Sequence, residues 1–226
     1  MSLLRCYSQL ARDKQHLLEP VLHGAAPRQW EHYPTDDAIS RGRRYQWFYH
    51  SHSPEDRPDS TEHGHFHLFA RMEGVAKLID AYTEKRFLRK LDVDINDAST
   101  RHLLCIGISP VGLPISLFTV NRWVTGDLLL SGAATLRLLQ QMKLVTGYPL
   151  IDKCVAALIQ LYAADIRALI ARRDHALRAR AAGGPGTLDD VTLEVLSELQ
   201  LNVDQRIATT IRPASRERAP GTTQAP

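Results

Sequence analysis

Five of the ten histidines in this 226-residue chain fall within eighteen residues. His50 and His52 stand in "YHSHS", and His63, His65 and His67 stand in "EHGHFHLFARMEG". In both stretches the histidines alternate with other residues, and alternation is the period at which strand side chains return to one face. Imidazole ligates transition metals through a neutral ring nitrogen and exchanges protons near neutral pH. Two such rows on neighbouring strands point to a metal or proton-transfer site.

Register decides whether the rows meet. Directly paired residues point the same way, so the histidines share a face only when paired residue numbers sum to an odd value. A sum of 115 pairs His52 with His63 and His50 with His65, and a sum of 117 pairs His52 with His65 and His50 with His67. An even sum separates the rows. With the rows together, cross-strand Cβ atoms stand about 4.5–5.5 Å apart, and two or three rings can converge on one ion at about 2.0–2.1 Å. All five cannot, because His63 and His67 lie about 13 Å apart along a strand. The expected centre is His65, joined by one or both of His50 and His52 and one neighbour. Imidazole-rich ligation suits Zn, Fe, Cu, Ni or Mn, with Zn or Fe the first expectation.

Carboxylates stand close in sequence at Glu55, Asp56, Asp59 and Glu62. Glu62 falls on the opposite strand face unless the strand starts later. Upstream, Glu31, His32, Asp36 and Asp37 could fold over the hairpin. In "LFTVNRWVTGD" a strand runs into Asn121, Arg122 and Trp123. Asn121 and Arg122, with Glu62, are the candidate catalytic or substrate-orienting residues, since amide and guanidinium groups hold anions.

Positioning these groups requires strands. "RRYQWFYHSH" is aromatic-rich and predicts a strand over Tyr45 to His52, and "HGHFHLFAR" predicts its partner across a polar loop. Two apolar strands, about His102 to Ser109 and Pro114 to Asn121, flank the turn "PVGL". Helical spacing marks "SLLRCYSQLARDKQHLLEPVL", "VAKLIDAYTEKRFLRKL" and "GAATLRLLQQMKLV", the last with Ser131 as N-cap. One long helix follows from Pro149, and "TLDDVTLEVLSEL" predicts another, with Thr187 capping. "APRQWEHYPTDD" reads as a loop. The expectation is an α+β domain over 1–213, an antiparallel sheet of about four strands with a helical C-terminal half, and a disordered tail over 214–226.

Composition bounds the rest. Apolar residues make up 44% and charged residues 23%, as in ordinary globular chains. A formal charge of +3 without massed basic residues argues against nucleic acid. No apolar run is long enough to span a bilayer, and no secretory h-region opens the chain. Cys6, Cys105 and Cys154 are far apart and lack metal-ligand spacing; Cys105 and Cys154 fit small core positions, and the sparse count fits a reducing cytoplasm.

Two resemblances add expectations. "HGHFHLF" resembles the histidine-triad pattern, which implies His65 as a nucleophile on a nucleotide phosphate, although Gly64 stands where that family prefers an apolar residue. "HYPTDD", "YQWFYHSH", "EHGHFHLFAR" and "LFTVNRWVTGD", in this order, resemble an uncharacterised bacterial family, a domain of unknown function. That likeness implies a one-domain bacterial protein and brings no activity. The leading expectation is a cytoplasmic metalloenzyme for a small-molecule substrate, hydrolytic or oxygen-dependent. The alternatives are a non-catalytic protein-partner or sensor module with a structural histidine cluster, and a histidine-triad-like nucleotide enzyme.

Overall fold

A computed structural model describes residues 3–52, 61–93 and 99–211. The aromatic and β-branched runs form one sheet. Its strands are β1 (Tyr33–Ile39), β2 (Tyr45–Ser51), β3 (Gly64–Arg71), β4 (Thr100–Ile108), β5 (Pro114–Val120), the short β6 (Leu128–Leu129) and β7 (Val195–Gln200). Their order is β1-β2-β3-β4-β5-β7, all antiparallel, and β6 pairs parallel with β4. The helices are α1 (Leu3–Asp13), α2 (Glu19–Leu22), α3 (Met72–Val75), α4 (Ala81–Lys90), α5 (Arg122–Thr125), α6 (Gly132–Gln140), α7 (Pro149–Leu161), α8 (Ala163–Ala181) and α9 (Val203–Ile211). The expected α+β class holds, with seven described strands instead of about four.

One face of the sheet carries the main core. Tyr45, Trp47 and Tyr49 of β2, Phe66 and Leu68 of β3, and Leu104 and Ile106 of β4 join α1, α6, α7 and α8 in one buried cluster. Burying this face removes enough aromatic and aliphatic surface from water to hold the sheet. Inside it Trp47 Nε1 donates to Asp152 Oδ1 at 3.1 Å. Every residue of β2 is buried, so its second face is covered as well. That second face carries the histidines.

Five local expectations change. The first helix ends at Asp13 and not near Pro20, and the helix expected from Val75 starts at Ala81, after a 3-10 turn over Ala76–Leu78. The stretch expected as a loop before Ile39 contains β1, an edge strand, where Pro34 removes no hydrogen bond that the sheet requires. "TLDDVTLEVLSEL" is not a helix. Thr187–Asp189 forms one 3-10 turn, and Val195–Gln200 becomes β7 on the free edge of β5. The helix from Pro149 breaks at Tyr162, and α7 and α8 meet at a 79° bend. The hairpin turn at Gly112 (φ +80°) and the Ser131 cap, whose side chain accepts from the Ala134 amide, are as expected. No single helix among the described residues is long and apolar enough to cross a membrane. The expected tail, Glu55, Asp56 and Asp59 lie outside the described residues.

Candidate metal centre

The register between β2 and β3 has the odd sum that brings the histidines together: His50 pairs with His65, and Phe48 with His67. The His52 amide donates to the His63 carbonyl at 3.4 Å, in the same register. The His50 ring centroid lies 4.4 Å from that of His65 and 4.9 Å from that of His67, and His52 lies 5.0 Å from His65. His50, His65 and His67 are buried.

His63 departs from the expected shared face. Its Nδ1 lies 2.5 Å from the Tyr49 hydroxyl, on the core-facing side of β2. β3 begins only at Gly64, so strand alternation does not govern the two residues before it. Glu62 takes the place that His63 leaves. Its Oε1 lies 2.6 Å from His65 Nδ1, and Ser116 Oγ donates to its Oε2 at 3.4 Å. The space for this carboxylate comes from Gly107, which pairs with His65 across β3 and β4. A Cβ on Gly107 would lie 2.4 Å from Glu62 Oε2. With His63 turned away, the three histidines of "HGHFH" do not form one row, which removes the geometry of the histidine-triad reading.

β4 supplies two groups that alternation conceals. Leu68 pairs with Leu104 but Phe69 pairs with His102, so β4 carries one extra residue at a bulge. The bulge turns His102 onto the face that Cys105 already occupies, although residues three apart on a regular strand face opposite ways. His102 Nε2 lies 3.2 Å from His67 Nδ1, and Cys105 Sγ lies 3.3 Å from each of these nitrogens. Cys105 is buried in a core cluster, as expected, and it also contacts both rings, which cysteine spacing alone could not reveal. The signal available in sequence was "RHLLCIG", readable only with the bulge known.

Protonation follows from the contacts. Glu62 beside His65 Nδ1 fixes a proton on that nitrogen and leaves Nε2 as a lone pair. His65 Nε2 lies 2.9 Å from His67 Nε2. Burial, reinforced by neighbouring imidazoles, holds His67 well below the ordinary histidine range. Burial, with Arg173 adding to it, brings His102 down to about 3. Both rings are therefore neutral at physiological pH, the form that binds metal. Among the described residues, donor sets with ligand atoms within 4.8 Å of one another include His50, His52 and His65, and His65, His67 and Cys105.

Asn121 and Arg122 are held by contacts within the fold. Asn121 is fully buried, caps α5 by accepting from the Arg122 amide at 2.9 Å, and donates Nδ2 to the Thr187 carbonyl at 2.9 Å. Arg122 forms a two-point ion pair with Asp189, with Nε 3.0 Å from Oδ1. Neither lines the cavity over the histidines. That cavity, of about 570 Å³, has His50, His52, His65 and His67 in its lining, with Trp30, Phe48, Phe118 and Trp123 as aromatic walls and Asp37, Asp127 and Glu194 as carboxylates. Trp30 is 63% exposed and packs edge-on to His50 and His52, at 6.0 and 5.3 Å between centroids. Its backbone is left-handed, at φ +65°. His32 stacks on Phe48 at 3.6 Å and bonds Asp37, so part of the "EHYPTDD" segment does fold over the site.

The family model for a domain of unknown function, DUF6969, matches residues 1–201, and the chain belongs to that family. No curated protein and no solved structure matches it.

Proposed function

We propose that this member of the DUF6969 family is a metal-dependent enzyme acting on a small organic molecule held in the cavity above the histidines. The observation that carries the reading is the convergence of His50, His52 and His65 at the base of a cavity large enough for a substrate. Three neutral imidazoles leave the charge of a divalent ion intact, and such an ion supplies a Lewis acid that brings bound water to a pKa near ~7. This favours hydrolytic chemistry on a Zn-type ion.

The chain's own residues have separable tasks. Glu62 orients His65 and raises its basicity, the part a carboxylate plays behind a ligating histidine. Phe48, Phe118 and Trp123 exclude water from the apolar part of a substrate, and Trp30 stands at the opening beside His50 and His52. Among the described residues no lysine or arginine lines the cavity, while Asp37, Asp127 and Glu194 do, which suits a neutral or cationic substrate better than an anionic one.

The test is metal content by plasma mass spectrometry on untagged protein purified without chelator, beside His50→Ala and His52→Ala. Metal-loaded and chelator-treated protein would then be assayed on small esters, amides and phosphate esters. The expected result is bound metal of which one equivalent is lost in both variants, with hydrolysis that follows that equivalent. Protein that takes up no metal even on reconstitution would refute the reading.

A further inference from the structure

We propose that Cys105, His67 and His102 form a second metal position beneath the first, suited to a thiophilic ion such as Zn(II) or Cu(I). The three donor atoms form a nearly equilateral triangle with sides of 3.2, 3.3 and 3.3 Å. Zinc bond lengths and tetrahedral angles require N–N and N–S edges of about 3.3 and 3.6 Å. The triangle therefore needs to open by only a few tenths of an ångström. All three residues are at most 1% exposed.

Counting protons shows why an ion suits the triangle better than hydrogen bonds alone. Glu62 holds the His65 proton on Nδ1, so the 2.9 Å contact between His65 Nε2 and His67 Nε2 takes its proton from His67. His67 Nδ1 is then a lone pair. The thiol brings one proton, and His102 brings one more to Nε2 only by leaving it off Nδ1. The three edges thus hold at most two hydrogen bonds. His102 Nδ1 is buried and has no hydrogen-bond partner among the described residues, whichever tautomer His102 adopts. A cation at the centre of the triangle uses all three lone pairs at once and lets His102 carry its proton on Nδ1, a thiolate and two neutral imidazoles being a favourable set for borderline or soft ions.

His65 and Cys105 also stand close enough to share an ion with His67. With Nδ1 on Glu62, however, His65 has one nitrogen to give, and the outer set with His50 and His52 uses it. His102 completes the deep set instead. His67 presents Nδ1 to the deep position and keeps its proton on Nε2, so it ligates the deep ion alone. The deep position rests on its own donors and does not need the outer one.

The test is an anaerobic cobalt(II) titration of the full chain, followed by absorption and by bound-metal analysis. The expected result is two equivalents, one of them producing a thiolate-to-cobalt charge-transfer band. Cys105→Ser should lose the band and one equivalent, and His52→Ala should lose the other equivalent and keep the band. If Cys105→Ser does not fold, the Cys6→Ala/Cys154→Ala double variant leaves Cys105 as the sole thiol and should retain the band. Cobalt bound without a thiolate band would overturn the proposal, as would loss of the band in His52→Ala. A band with no equivalent sensitive to His52→Ala would support the deep position and sink the outer one.

Discussion

Gly107→Ala is a perturbation aimed at the metal centre through one methyl group. The added Cβ would lie 2.4 Å from Glu62 Oε2 and 2.1 Å from Ser116 Oγ. Restoring an ordinary contact near ~3.4 Å moves the carboxylate by about 1 Å, and a short charge-assisted hydrogen bond does not survive such a shift. Glu62 is thereby pushed off His65 Nδ1, now 2.6 Å away. Loss of such an orienting carboxylate weakens metal affinity by about 10–100-fold, or about 1.4–2.7 kcal/mol. Competition with a chromophoric chelator measures this directly. Glu62→Ala should weaken binding by a similar factor. The double variant should be little worse than either single one, because both act through the same carboxylate. Wild-type affinity in Gly107→Ala, or full additivity in the double variant, would refute the reasoning.

Three further outcomes follow from the same geometry. In the metal-free protein His102 has its pKa depressed to about 3, so the unfolded chain takes up a proton below its ordinary pKa that the folded chain refuses. Stability is complete above about pH 6.5 and falls with pH; His102 alone should cost about 2 kcal/mol between pH 7 and 5, and burial of His67 acts in the same direction. Urea titrations at the two pH values should show the drop, with a shallower fall in His102→Leu, and an unchanged slope there would remove His102 as its cause. His63→Ala should leave metal stoichiometry at the wild-type value, since His63 bonds Tyr49 on the other face; loss of metal would contradict that placement. Gly64→Ala should be far more damaging than Gly107→Ala, because its Cβ would sit 2.2 Å from the His50 carbonyl oxygen, which belongs to the paired strand and cannot swing aside. A wild-type melting temperature for Gly64→Ala would count against the β2–β3 register.

The family match is specific to residues 1–201 and names no activity, so the functional argument rests on side-chain geometry. Within that geometry the histidines of β2 and β3 were legible and the two groups of β4 were not. His50, His52, His65 and His67 carry the period of a strand, and the β2–β3 register was reduced in advance to odd or even. His102 and Cys105 were hidden by a bulge that reverses the face of one residue. His63 and Glu62 exchanged sides because the strand starts at Gly64. Asn121 and Arg122 stood out for versatile chemistry; their bonds to Thr187 and Asp189, more than sixty positions away, were not readable from spacing.

By itself the sequence determined the local elements whose signals are short-range. These are the aromatic strands, the Gly112 hairpin, the Ser131 cap and the alternating imidazoles. Only the tertiary structure decided what long-range pairing controls. The free edge of β5 drew Val195–Gln200 out of a helical pattern and into β7. The bend at Tyr162 arose without a proline or glycine at the break. The bulge in β4 closed the histidine–cysteine triangle. Hydrogen bonding along a strand edge and burial of a shared face depend on residues far apart in the chain, and no local spacing encodes them.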